Sequence, residues 1–166
     1  MKYLTIIRHA KSSWAEPGME DRKRPLNDRG KKAIPVIGNF LKKKDIMPDL
    51  ILCSPAKRAK DTAEGIAEWV NYSKKKIKTE ASIYESTVKN LVHIVARLPG
   101  DVNDVFLFGH EPGLSGLISQ LTGDAVVKFS TCAAYRISFN IKKWSEITSE
   151  NGKCEFFVYP KLLEKG

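Results

Sequence analysis

The chain has 166 residues, of which 42% are hydrophobic and 28% charged, a balance that excludes a disordered or membrane-embedded protein and fits one soluble globular domain. No apolar run could span a bilayer, and the opening "MKYLTIIRHA" is too short in its apolar part, and interrupted too soon by Arg8, for a signal peptide. A cytoplasmic location is therefore expected. Lys+Arg 28 against Asp+Glu 19 leaves a net +9, which favours an anionic partner without choosing between phosphate, an acidic protein and nucleic acid.

Tyr3 to Ile7 reads as a buried strand that runs straight into Arg8 and His9. A helix follows somewhere in Asp28 to Lys44, with Ile34, Ile37, Phe40 and Leu41 on one face. Pro35 lies inside it, so the helix either begins near Ile34 or is kinked there. Asp49 to Ser54 reads as a second strand. A helix from about Ala56 to Tyr72 follows, its inward stripe made by Ala59, Thr62, Ala63, Ile66, Ala67 and Val70. A short strand at Ile77 to Thr79 precedes the "SIYEST" loop and a helix from about Val88 to Leu98. "DVFLFGH", Asp104 to His110, is a strand of buried character, then Gly113 to Leu121 reads helical. "AAYRISFNI" and "KCEFFVY" add β-rich segments. Repeated β–α units in a chain without repeats or linkers imply one α/β domain over residues 1–166, built on a largely parallel sheet.

Lysine runs at Lys42–Lys44 and Lys74–Lys76 fall near expected helix ends, where they face solvent and complement the helix dipole. Cys53, Cys132 and Cys154 show no metal-ligand spacing and read as reduced, structural thiols.

Ligands of open α/β sheets bind beyond the carboxyl ends of the strands. After the first strand stand Arg8, His9, Ser12 and Ser13; after the second, Ser54 and then Arg58. Glu85 lies beyond the third, and His110 follows "DVFLFG". Taken singly, each is more often a surface group or a helix cap than a site residue. Together they suit phosphoryl transfer, whose transition state spreads negative charge over three oxygens. Arginine forks match those oxygens. A neutral imidazole can attack phosphorus and carry it covalently. A second histidine can donate to the same oxygens, and a carboxylic acid can protonate the leaving group.

The blocks "RHAKS" (Arg8–Ser12), "CSPAKRAKDTAE" (Cys53–Glu64) and "FGHEPGLSGL" (Phe108–Leu117), together with "RPLNDRG" (Arg24–Gly30), resemble the histidine phosphatase superfamily, also called phosphoglycerate mutase-like. The resemblance covers roughly Met1 to Ile141. In length the chain is similar to the bacterial SixA-type phosphohistidine phosphatases, which lack a large capping insert. The resemblance implies a three-layer αβα sandwich with His9 as the phosphorylated nucleophile. It implies a phosphate pocket of Arg8, Arg58 and His110, with Ser12 as a further contact and Glu85 where many members keep the proton donor. It implies no cofactor and no metal, and no carboxylate cluster stands at the strand ends to hold one. Ala10 replaces a common glycine, and Ala15 an asparagine usual in mutase-like members, which argues against a mutase.

The expected activity is thus a phosphatase working through phospho-His9, its substrate a protein bearing phosphohistidine. The alternatives are a phosphatase for small phosphate esters and, in another class, a non-catalytic phosphate-binding module. No nucleic-acid motif or membrane anchor supports either of those partners.

Overall fold

A computed structural model describes residues 1–14 and 17–164 of the chain. Six strands form one sheet in the order β3-β2-β4-β1-β5-β6: β1 (Lys2–Arg8), β2 (Leu50–Cys53), β3 (Lys78–Thr79), β4 (Asp104–Gly109), β5 (Ala134–Phe139) and β6 (Lys153–Val158). The pairings β3–β2, β2–β4 and β4–β1 are parallel, whereas β5 runs antiparallel to β1 and β6 antiparallel to β5. The sheet is therefore mixed, parallel from its β3 edge to β1 and antiparallel from there to β6.

Strand period sorts the apolar side chains onto two faces. Ile7, Ile51, Phe106 and Phe108 pack with Ile37, Leu41 and Ile66, beneath helices α1 (Asp28–Lys43) and α2 (Lys57–Trp69). Leu4, Ile6, Leu52 and Leu107 pack with Leu91, Leu117 and Ile118, beneath α3 (Val88–Ala96) and α4 (Gly113–Thr122). A short α5 (Pro160–Glu164) lies against α1. This is the expected three-layer αβα sandwich, and the tail beyond Lys153 contributes its edge strand and last helix.

Of the two expectations for Pro35, a start near Ile34 is excluded: helix α1 starts at Asp28, because Asn27 caps it, its side chain accepting from the Gly30 N–H at 2.8 Å. Pro35 sits in the helix interior on an exposed position, where the Lys31 carbonyl it leaves unbonded can turn to water. Parallel pairing brings the strand ends level. Arg8 stands opposite Gly109, and Cys53 opposite Phe108, so His9, Ser54 and His110 emerge side by side at one edge.

Candidate active site

His9 follows β1 directly and is almost fully buried, 7% exposed. Its N–H donates to the Gly109 carbonyl at 3.2 Å, and its own carbonyl accepts from the Cys132 N–H at 3.1 Å. The backbone is thus held by β4 on one side and by the turn before β5 on the other. The ring Nδ1 lies 2.7 Å from the Ala10 carbonyl. A carbonyl can only accept, so Nδ1 carries the proton and Nε2 keeps a free lone pair. Burial first, then the charges of Arg58, Arg8 and Arg24, lower the His9 pKa to about 4, against the rise from the Ala10 bond. At neutral pH the imidazole is uncharged and nucleophilic.

The segment after His9 is clamped from two sides. The Ala10 N–H donates to Thr62 Oγ1 at 2.9 Å, and that hydroxyl donates to the Arg58 carbonyl at 2.7 Å. On the other side the Lys11 carbonyl accepts from the Asn27 N–H at 3.0 Å. Helix α1 approaches so closely that a Cβ on Gly30 would stand 2.1 Å from the Lys11 oxygen. The glycine of "RPLNDRG" is therefore required by contact.

Three arginines surround the ring. Arg58, in the first turn of α2, donates from Nη1 to the Asp21 carbonyl (2.7 Å) and from Nη2 to Asp21 Oδ2 (3.0 Å). Arg24 donates from Nε to Asp21 Oδ1 (3.1 Å), and the Tyr84 hydroxyl donates to Oδ2 of the same carboxylate. Asp21 is thus a hub orienting two cations and a tyrosine. The Tyr84 bond, then the two arginines, hold its carboxyl below the ordinary range despite some desolvation. Arg8 donates from Nη1 to the Phe129 carbonyl at 3.0 Å.

His110 lies with its ring centroid 5.2 Å from that of His9, and Tyr84 meets it edge-on at 5.5 Å. Its Nε2 pairs with Ser54 Oγ at 2.8 Å, and that oxygen also accepts from the Ala56 N–H. Burial, then the nearness of His9 and Arg58, lowers its pKa to about 3. In the free site it is a neutral ring, contributing a donor rather than a charge.

Four buried nitrogens are left without any partner among the described residues: Arg8 Nε, Arg24 Nη1, Arg58 Nε and His110 Nδ1. Buried donors are almost always satisfied, and each orphan costs about 1–3 kcal/mol. Here all four belong to groups whose charges act on one another around His9. Such a ring of fixed donors and cations suits a tetrahedral oxyanion.

Arg8, His9, Arg58 and His110 are therefore brought together as the sequence suggested. Ser12 is not tied to them. It is half-buried, bridged to Leu26, and its carbonyl accepts from Asn27 Nδ2 at 3.4 Å. Glu85 is exposed at a left-handed backbone position, φ 53°. Among the described residues it makes no hydrogen bond or ion pair with the site, and its charge acts on Tyr84. Ala15 lies outside the described residues. Arg24, Asp21 and Tyr84 were missed as site residues. Arg24 opens the quoted "RPLNDRG" block, but Asp21 carries no sequence signal, because a lone Asp in "MEDRKR" has no periodic or spacing context. Among the described residues no three His, Cys, Asp or Glu side chains group so as to hold a metal ion, and no helix is long and apolar enough to cross a membrane.

The model of the histidine phosphatase superfamily, branch 1, matches residues 4–92, more than half of the chain. An uncharacterised chloroplastic protein of Arabidopsis thaliana is 27% identical over 169 residues, covering 95% of this chain and 77% of its own length. The structure of a protein from Agrobacterium tumefaciens described as a phosphohistidine phosphatase SixA superposes with a TM-score of 0.82 at 23% identity, over 96% of this chain and 98% of that one. A mycobacterial glucosyl-3-phosphoglycerate phosphatase superposes with a TM-score of 0.68 at 14% identity, over 94% and 98%. At such identities the structural likeness is one of fold.

Proposed function

The chain belongs to branch 1 of the histidine phosphatase superfamily, and from that premise we propose that it is a phosphatase working through a phosphohistidine at His9, with phosphohistidine on a protein as its substrate. The observation that carries the reading is the set of four unpartnered buried nitrogens around an uncharged imidazole whose Nε2 is free.

The phosphoryl oxygens take the orphan donors of Arg8, Arg24, Arg58 and His110, the last in the tautomer that keeps its proton on Nδ1 while the Ser54 hydroxyl donates to Nε2. Nε2 of His9 attacks phosphorus in line, the P–N bond of the substrate breaks, and its imidazole leaves with a proton from solvent. The Nδ1–H of His9 stays on the Ala10 carbonyl, so the phosphorylated ring is cationic and itself a good leaving group. Water then attacks phosphorus, releasing inorganic phosphate and the neutral imidazole. A second histidine close to neutral form, rather than a charged one, keeps the cation count at three arginines.

The substrate assignment draws support from leaving-group chemistry. An imidazole needs little help to leave, whereas the alkoxide of an ester needs a placed acid, and Glu85 is held by nothing in the site. The small-ester reading is favoured by one finding, the fold shared with a phosphatase whose substrate is a small phosphorylated molecule. The test is single-turnover mixing with phosphoramidate, a phosphohistidine peptide and an alkyl phosphate, in wild type, His9→Ala and Glu85→Gln. Expected are a phosphorylated His9 trapped by acid-free gel, no turnover in His9→Ala, and Glu85→Gln close to wild type on the phosphohistidine peptide. Turnover surviving His9→Ala overturns the nucleophile. Equal, severe loss on both substrates in Glu85→Gln moves the substrate to small esters.

A further inference from the structure

Beside the nucleophile, and sharing Arg8 with it, runs an open groove of about 1030 Å³. Besides Arg8 its walls carry Lys11, Arg29, Lys32, Lys128 and Lys161, against a single acid, Glu164. These five side chains come from four separate segments: the loop after His9, the start of α1, the loop before β5, and α5. None of the five forms an ion pair among the described residues. Among the described residues three exposed lysines, Lys23, Lys57 and Lys74, do find acids, Lys57 with Asp61 at 3.2 Å; the groove is set apart by how many cations it gathers. Crowding unpaired cations into one groove works against the compact state through self-repulsion. It therefore calls for an anionic occupant.

The groove is at the upper end of small-molecule sites, roughly 300–1,000 Å³, and far exceeds one phosphoryl group. Its cations are mostly lysines, point charges on flexible stems that accept carboxylates at many positions, rather than the paired arginine forks that read a fixed phosphate. Its lining also includes Val127, Phe157, Tyr159 and Pro160, and Val127 is 99% exposed. Apolar and aromatic side chains beside charged ones suit a protein–protein contact. A bare polyphosphate chain would make no use of the apolar ones.

We propose that this groove docks an acidic segment of the phosphoprotein substrate, holding it while the phosphorylated side chain reaches His9 past Arg8. The proposal rests on the phosphohistidine-protein reading of the site. It assigns to Lys32, Lys128 and Lys161 the recognition of carboxylates flanking the phosphorylated residue.

The test compares two phosphohistidine peptides, one with a run of Asp and Glu beside the phosphorylated residue and one with those acids replaced by Ser. Each is assayed on wild type and on the triple variant Lys32→Glu/Lys128→Glu/Lys161→Glu, all exposed positions. At low salt the acidic peptide should have the lower KM on wild type. The triple variant should raise that KM about tenfold, as expected for three partly screened charge contacts, and leave the Ser peptide and phosphoramidate unchanged. An unchanged KM for the acidic peptide overturns the docking surface. Direct binding of the unphosphorylated acidic peptide, by fluorescence anisotropy, reads the groove even where turnover fails. Failure on phosphoramidate with intact peptide binding overturns the catalytic reading alone. Tighter binding by a single-stranded oligonucleotide than by the acidic peptide overturns the acidic-protein assignment in favour of nucleic acid.

Discussion

The two ends of the central strands bury the same kind of charge in opposite ways. At the amino end, Lys2 is 3% exposed, and its ammonium donates to the Gly100 and Val102 carbonyls and to Asn103 Oδ1 at 2.6, 3.2 and 2.8 Å. Nearby Arg136 donates to both Asp104 oxygens, at 3.0 and 2.7 Å, and to Thr5 Oγ1 at 2.9 Å, and stacks over Tyr3. Among the described residues no buried nitrogen there is left over. At the carboxyl end, Arg8, Arg24, Arg58 and His110 each keep one buried nitrogen unpartnered. A fold able to satisfy its buried cations completely at one edge leaves them incomplete at the other. The difference separates charge that holds the sheet together from charge that is kept ready for an oxyanion.

The sharpest break of this contrast is Arg136→Leu. It strands the Asp104 carboxylate in a mostly buried position, so stability should fall by about 3–5 kcal/mol, the usual cost of breaking a buried pair. Urea denaturation measures it, and activity per folded molecule should be unchanged. At the other edge, Arg58→Ala and His110→Ala should each lower kcat about 10²–10³-fold, or about 2.7–4 kcal/mol of barrier. Their melting temperatures should move little. Truncating Arg58 frees only the half-exposed Asp21 carboxylate to water, and each substitution removes an orphaned donor. A large loss of stability in either, or a large loss of activity in Arg136→Leu, would erase the distinction.

The contrast also explains what the sequence could disclose. The satisfied end is nearly invisible in the sequence, because Lys2 and Arg136 look like ordinary surface cations until Asp104 and the Gly100–Asn103 turn are folded against them. The catalytic end was legible wherever position along a strand decides exposure. His9, Ser54 and His110 stand just past strand ends, and parallel pairing makes them neighbours. What stayed hidden came from a loop. Asp21 and Tyr84 lie 63 residues apart and meet only because a 3₁₀ turn at Asp21–Lys23 packs against α2. Glu85 shows the converse. Its sequence block suggested a proton donor, yet it is an exposed left-handed residue, and among the described residues no hydrogen bond or ion pair aims it.

The smallest expected effect is a shift along the pH axis, and it separates the two ends most cleanly. Attack requires the unprotonated His9 ring. With an ordinary imidazole pKa near 6.5, kcat/KM would drop tenfold per unit below that pH. Burial and the surrounding arginines place the His9 pKa near 4 instead, so the acidic limb on a stable chromogenic ester should lie near pH 4. Arg58→Ala removes a cation that disfavours the imidazolium, so the His9 pKa rises and the residual activity falls off at a higher pH than in wild type. The same linkage acts on stability. Between about pH 6.5 and 4 the unfolded chain binds protons at His9 that the folded one refuses, so stability falls as pH falls through that window. A bound oxyanion such as tungstate offsets the arginine charges and should narrow the window. Arg136 contributes no charge to His9, so Arg136→Leu should leave the limb where it is. A limb that moved equally in both variants would mean that His9 responds to the sheet as a whole rather than to the cations gathered at its carboxyl edge.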